Sequence, residues 1–172
     1  MMKSKNKIYI IAEAGVNHNG SFIRAKKMIK EAKKCGANAI KFQSYITKNM
    51  IIDNVAKADY QKTLSNRKES QKKMLEKYEL KNEDFLKLRD YAKKNKIDLF
   101  STPFDNDSLD FLLKKVKVPY IKISSTDITN VPLLINVGKS KKKVFLSSGM
   151  STLTDIDIAL SALIFGKLGI KN

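Results

Sequence analysis

Two apolar periods alternate along the chain. Short runs rich in β-branched and aromatic residues read as strands: Ile8-Tyr9-Ile10-Ile11-Ala12, Ala39-Ile40-Lys41-Phe42, Ile97-Asp98-Leu99-Phe100, Tyr120-Ile121-Lys122-Ile123 and Lys143-Val144-Phe145-Leu146. Between them apolar residues recur at helical spacing, as at Ala25, Met28, Ile29 and Ala32, at Leu109, Leu112, Leu113 and Val116, and at Ile156, Ala159, Leu160 and Leu163. Asn82 is placed to cap a helix containing Phe85, Leu88 and Ala92. Pro132 suits a first helical turn, and Thr152 with Asp155 resembles a capping box. Gly36 and Gly169 stand where helices should stop. The connection from about Ile46 to Leu80 holds one short helix around Gln71 to Tyr78, and a connection that long is usually functional or a lid.

Five strand–helix units in succession predict an α/β fold, a parallel sheet with helices outside it. Two architectures compete. An open doubly wound sheet suits 172 residues, whereas a closed eight-stranded barrel needs roughly 250. Pattern and length alone favour the open sheet.

Composition removes several function classes. With 42% hydrophobic and 30% charged residues, the chain has enough apolar material for one globular core, and no apolar run approaches the roughly 20 residues of a membrane span. The basic, then apolar start from Met1 to Val16 is interrupted by Glu13 and followed by no small-residue cleavage site, so it reads as a first strand and not a signal peptide. One cysteine, Cys35, excludes an intramolecular disulfide and fits a reducing cytoplasm, with core filling as its expected role. One histidine, His18, excludes a multi-histidine metal site built from this chain alone; a turn histidine that satisfies local backbone groups is the expectation. Lysine and arginine number 34 against 17 acidic residues, a net charge of +17. The lysines are spread over nearly every helix, at polar faces and carboxyl ends that suit the helix dipole. That pattern predicts a solvated surface, with no nucleic-acid and no membrane partner, and a field that attracts small anions.

Candidate chemistry gathers where parallel strands end. Strand one runs into Glu13 and then Gly15-Val16-Asn17-His18-Asn19-Gly20. Strand two carries Lys41 and Gln43 on one face, and strand three runs into Ser101-Thr102-Pro103-Phe104-Asp105. Strand four carries Lys122 ahead of Ser124-Ser125-Thr126-Asp127, and strand five ends in Ser147-Ser148-Gly149-Met150. A lysine inside an apolar strand is costly unless its charge is used. Two of them beside a ring of hydroxyls suit an anion bearing phosphate and carboxylate. The alternative is structural: an edge-strand lysine in solvent, or a buried lysine paired with Glu13. The chain has neither a dinucleotide fingerprint nor a P-loop.

Taken together, Ile11-Ala12-Glu13-Ala14-Gly15-Val16-Asn17-His18-Asn19-Gly20, Ala39-Ile40-Lys41-Phe42-Gln43-Ser44, Ser101-Thr102-Pro103-Phe104-Asp105, Lys122-Ile123-Ser124-Ser125 and Ser147-Ser148-Gly149-Met150 resemble the sialic acid synthase family along essentially the whole chain. Glu13-Ala14-Gly15, Tyr60-Gln61 and Glu69-Ser70-Gln71 look more like the N,N'-diacetyllegionaminate synthases than the pseudaminate synthases. The resemblance implies a (β/α)8-type TIM barrel in place of the open sheet. It also implies condensation of phosphoenolpyruvate with an amino-sugar aldehyde, an N,N'-diacetyl-6-deoxy sugar or N-acetylmannosamine, to a nonulosonic acid plus phosphate. Glu13, Lys41 and Lys122 would be catalytic. Lys41, Thr102, Lys122, Ser125 and Ser147 would hold phosphoenolpyruvate, and Glu13, Gln43 and Phe104 would face the sugar. Ser124, Thr126 and Ser148 depart from the family's usual Gly or Pro, Gly and Thr.

The resemblance reaches Gly169-Ile170-Lys171-Asn172, where a sixth strand should begin. It therefore implies that residues 1–172 form the N-terminal portion of a barrel truncated after about five β/α units, with the sixth to eighth units and a C-terminal antifreeze-like domain absent. The family's divalent metal (Mn or Mg) is held by two histidines beyond that point, so no metal ligand is expected here, and a chain of this extent is expected to be inactive alone. Family members are homodimeric. Two other readings stay open: a class I aldolase-type barrel in which Lys122 forms a Schiff base, and a basic module binding RNA or acidic partners.

Overall fold

The computed structural model describes residues 8–50 and 70–169. Its elements follow the predicted alternation: β1 (Ile11–Gly15), α1 (Phe22–Lys34), β2 (Ala39–Ser44), a single turn α2 (Thr47–Met50), α3 (Gln71–Tyr78), α4 (Asn82–Lys94), β3 (Asp98–Pro103), α5 (Asn106–Phe111), β4 (Tyr120–Ile123), α6 (Val131–Lys139), β5 (Lys143–Leu146) and α7 (Leu153–Leu168). α5 runs on into a wider π-helical turn at Leu112–Val116, and a 3-10 turn at Ser125–Asp127 follows β4.

All neighbouring strands are parallel, and their order in the sheet is β1-β2-β3-β4-β5. That order decides between the two architectures. A doubly wound sheet reverses direction at a switch point, so that consecutive strands leave the first on both sides. Here every strand adds to the same side of its predecessor, as in a barrel. The fold is thus the barrel type implied by the motif resemblance, a run of five β/α units of the (β/α)8 type, and not the open sheet that length alone favours.

One face of the sheet packs on the helices. Ile40, Phe42, Leu99, Ile121 and Ile123 join Ala25 and Ile29 of α1, Leu88 of α4, Leu109 of α5 and Leu134 of α6 in one buried core. The opposite face carries Phe100, Tyr120 and Phe145 in mutual ring contact, with centroids 5.5–5.8 Å apart. Tyr9 meets Tyr120 edge-on and donates its hydroxyl to Asp98. This aromatic layer fills the floor beneath the strand ends. β2 and β3 are buried on both faces for most of their length, so their polar residues Lys41, Ser101 and Thr102 are held inside the fold.

Four local expectations change. The first strand is Ile11–Gly15, not Ile8–Ala12, because β2 offers ladder partners only from Ala39, which faces Ile11; Ile8 and Ile10 stay exposed. Asn82 is the first helical residue of α4, and the residue preceding the helix, Lys81, makes no side-chain cap. Cys35 is exposed at the end of α1 and fills no core. Leu160 stays 46% exposed while Ala159 is buried, because α7 turns its small residues toward α6. The Thr152–Asp155 capping box, Pro132 at the start of α6 and the left-handed Gly169 after α7 form as expected.

Candidate functional site

The carboxyl ends of the strands place most of the candidate residues together. Glu13 and Lys41 face each other across the β1–β2 ladder, and Glu13 Oε2 lies 2.6 Å from Lys41 Nζ. Lys41 is 9% exposed and also donates to Thr102 Oγ1 at 3.3 Å. Gln43 pairs in register with Thr102 one strand further on. On β4, Lys122 Nζ donates to the Ile123 carbonyl at 2.6 Å and to Ser147 Oγ just past β5. Ser125 stands beside Gly149, where an added Cβ would lie 3.6 Å from its Oγ.

The structural alternative therefore holds for one lysine and not for the other. Lys41 is paired with Glu13, whereas the Lys122 ammonium is bonded to two neutral acceptors. Burial, with the Lys41 charge as the second cause, holds the Lys122 pKa below the ordinary lysine range, and Glu13 only partly offsets this. Two ammonium groups against one carboxylate leave an uncompensated positive charge at the strand ends, the condition under which a bound anion is stabilised.

Local chain geometry sets these groups in place. The β1–β2 register shifts between Glu13 and Gly15, a bulge of the kind that re-aims a side chain beside a site. Gly15 has φ +52°, and a Cβ there would sit 3.4 Å from Glu13 Oε1. In the turn that follows, His18 is 1% exposed; its Nδ1 accepts the Gly20 N–H at 3.1 Å and its ring packs on Phe42. His18 Nε2 has no hydrogen-bond partner among the described residues, and burial pushes the pKa down to about 4. Gly20, at φ +71°, presses on α3 so closely that a Cβ would come 2.2 Å from the Lys77 carbonyl oxygen.

Phe104 stands apart from the polar group. Its ring meets Tyr45 edge-on at 6.3 Å, in a small apolar wall built from Tyr45, Met74 and Leu75 with Val16, Met50 and Tyr78. α3 thus stands over the strand ends as a side wall. Two carboxylates that the motif reading left without a role fix that wall. Asp105 accepts from the Ile46 N–H at 2.9 Å and from the Ser108 N–H at 2.8 Å, tying the end of β2 to the start of α5. Glu79 accepts from both the N–H and the hydroxyl of Thr47, at 3.0 and 2.6 Å. The Asp-x-x-Ser spacing of Asp105 and Ser108 was a usable capping signal; Glu79 offered none, because its partner lies 32 residues away.

Among the described residues no three or more His, Cys, Asp or Glu side chains cluster in a way that could hold a metal ion. The residues at the strand ends do not fit a metal, and their chemistry is that of ammonium, hydroxyl and carboxylate groups. No helix of the described residues is long and apolar enough to cross a membrane. A separate cleft bordered by Arg89, Lys93, Asp98, Lys117 and Pro119 opens at the opposite end of the strands, where barrel sheets carry stability and not chemistry.

Sequential parallel strands with polar groups converging at their carboxyl ends define a protein of the β/α-barrel class. Within that class the chain belongs to the NeuB family, whose model matches residues 28–170. It is 45% identical over 157 residues to the N,N'-diacetyllegionaminic acid synthase of Campylobacter jejuni, covering 91% of this chain and 47% of that one. To the N,N'-diacetyllegionaminic acid synthase of Legionella pneumophila it is 39% identical, covering 90% of this chain and 43% of that protein. The N-acetylneuraminic acid synthetase of Leptospira borgpetersenii, solved in complex with citrate, superposes with a TM-score of 0.76 at 34% identity, over 94% of this chain and 52% of that one. The chain thus spans about half the length of these relatives. Tyr60-Gln61 and Glu69, which enter the legionaminate-like resemblance, lie outside the described residues.

Proposed function

We propose that this chain forms the phosphoenolpyruvate-binding part of a nonulosonic acid synthase. The supporting observation is the Lys122 ammonium, held by neutral acceptors beside a second lysine at the strand ends. Phosphoenolpyruvate carries a phosphate and a carboxylate, and the two ammonium groups with Thr102, Ser125 and Ser147 provide charge and hydroxyl donors for both. On this reading C3 of the enol ester bonds to the aldehyde carbon of an N-acylated amino sugar, water supplies the new oxygen at C2, and phosphate leaves with its C–O bond broken. The chain's residues bind and orient: Lys41 and Lys122 offset charge on the phosphate and carboxylate, and Glu13 and Gln43 accept and donate hydrogen bonds to sugar hydroxyls. Phe104 and the wall behind it offer an apolar surface to the sugar. The acceptor is an N,N'-diacetyl-6-deoxy sugar in preference to N-acetylmannosamine, the reaction belongs to the cytoplasm, and the working enzyme is a homodimer in which residues 1–172 make up the amino-terminal part of the barrel domain.

Titration calorimetry of this chain with phosphoenolpyruvate, inorganic phosphate and pyruvate tests the reading. Phosphoenolpyruvate is expected to bind more tightly than either half-ligand. Lys41→Met or Lys122→Met should each weaken it about tenfold or more, since a charge-assisted hydrogen bond is worth about 1.5–3 kcal/mol. Equal affinity in the double variant would overturn it. A second reading draws on the lowered Lys122 pKa, which favours a nucleophilic amine: Schiff-base chemistry on a keto acid. Borohydride trapping of pyruvate on Lys122 would favour that reading, and its absence would dismiss it.

A further inference from the structure

Lysines that are scattered along the sequence are gathered by the fold. In a succession of parallel β/α units every helix runs back against its strands, so helix carboxyl ends and strand starts lie at one end of the molecule. The register shows this alignment: Ala39 of β2 faces Asp98 of β3, and Tyr120 of β4 faces Lys143 of β5. Lys33 and Lys34 close α1, Lys93 and Lys94 close α4, and Lys114 and Lys115 lie in the π-helical turn after α5. Cations suit a helix carboxyl end, so each pair has a local cause. Acidic residues follow the same rule at the other end, where Glu83, Asp84, Asp107 and Asp155 stand in first turns. The two ends of the strands therefore differ in charge.

The loops into β3, β4 and β5 carry further lysines at a backbone cost. Lys96, Lys117 and Lys141 hold left-handed positions after their helices, at φ +53°, +59° and +54°. Glycine takes such a position more easily, as Gly36 does after α1 at φ +82°. Charge at a helix end does not require that conformation. All three side chains are exposed, and among the described residues none of them forms an ion pair. The carboxylates that accompany these lysines are already engaged: Glu31 with Lys34, Asp90 with Arg89, Asp98 with Tyr9 and Asp110 with Lys114. The face is level, because three or four residues carry the chain from each of these helices into the next strand.

We propose that this face, at the amino-terminal ends of the strands, docks the protein reversibly on an anionic phospholipid surface. Three features select a bilayer among polyanions. A level face meets a plane across its whole width, so each loop lysine reaches the lipid phosphates at once. The charges are ammonium groups, which hold diffuse anions as point charges; Arg89 spends its guanidinium on Asp90 and on the Lys115 carbonyl. The rings at this end, Tyr9 and Tyr120, pack edge-on against each other and are not set out to stack on bases. Docked this way, the carboxyl ends of the strands with Lys41 and Lys122 face away from the lipid and stay open to dissolved substrates. For this one face the contact replaces the solvated surface expected from the linear spread of lysines. The inference rests on topology and charge, not on the phosphoenolpyruvate reading, and its test does not involve that ligand.

Sedimentation of the full 172-residue protein with lipid vesicles tests this. Vesicles of phosphatidylcholine with about one third phosphatidylglycerol are expected to carry the protein down, and vesicles of phosphatidylcholine alone are not. Binding should fall steeply between about 0.1 and 1 M salt, where the screening length shrinks from about 10 to 3 Å. Lys96→Glu with Lys117→Glu and Lys141→Glu should weaken it about tenfold or more while the far-UV spectrum stays that of the parent. Lys96→Gln with Lys117→Gln and Lys141→Gln should give an intermediate loss. Lys27→Glu with Lys30→Glu and Lys81→Glu, all at exposed positions away from this face, makes the same change in net charge and should weaken binding only about threefold or less. Equal loss in the two glutamate variants would reduce the effect to net charge and overturn the proposal. So would failure to sediment with the anionic vesicles, or tighter binding of a random-sequence RNA than of those vesicles.

Discussion

Lys122 is half-buried and His18 fully buried, and titration exposes the cost of each. Because the Lys122 pKa lies below the usual lysine value, its charge is lost earlier as pH rises. Affinity for phosphoenolpyruvate is therefore expected to decline on the alkaline side before an ordinary lysine would titrate. Lys41→Met, which removes the neighbouring charge, should move the Lys122 pKa upward, measurable by NMR of labelled lysine side chains. A fixed value would show that the two ammonium groups do not share a field. His18 titrates in the other direction. Its folded pKa of about 4 lies below the unfolded value of 6.5, so the unfolded chain binds more protons between those limits. Stability is complete above the upper limit and is lost as pH falls through the window, by about 3 kcal/mol at full effect, with roughly 1.4 for each pH unit. Urea denaturation across that range should show a smaller acid loss for His18→Gln than for the parent chain. Parallel curves would place the acid sensitivity in the carboxylates.

At the scale of elements, stability is concentrated where backbones touch. Gly138→Ala and Gly166→Ala each drive a methyl group into a carbonyl oxygen of the facing helix. Each should cost about 1–3 kcal/mol by forcing α6 and α7 apart, read as a lower denaturation midpoint. Gly20→Ala meets both a left-handed backbone and the Lys77 carbonyl, so it should loosen α3 from the β1–α1 turn as well as lower stability. Thr152→Ala removes one half of the capping box of α7 and should cost about 1 kcal/mol. Helix positions were legible in the chain because period and caps are local. The closeness of α6 and α7 was not, because Gly138 and Gly166 look like weak helical residues until the facing backbone is in place.

For the whole molecule, the net charge of +17 and the partly paired lysines act together on small anions. Phosphoenolpyruvate binding should weaken as ionic strength rises, since the diffuse part of that field is screened over about 8–10 Å near physiological salt. With manganese and amino sugar added, the 172-residue chain alone is expected to bind phosphoenolpyruvate without forming product, checked by the absence of released phosphate. Steady product formation would overturn the view that these residues form only part of the catalytic unit.

The amino-acid sequence by itself determined the five strand–helix units, their parallel sense and the identity of the residues at the strand ends, because strand period, helix caps and motif spacing are written within a few residues of one another. The motif resemblance already implied a barrel; only the tertiary structure decided that Glu13 pairs with Lys41 while Lys122 is held by neutral acceptors, and that α7 turns its large side chains outward. Each of these depends on which elements become neighbours across about 20 residues or more of chain. The free energy of pairing a charge or burying a side chain is fixed by the partner found there, not by the residue alone.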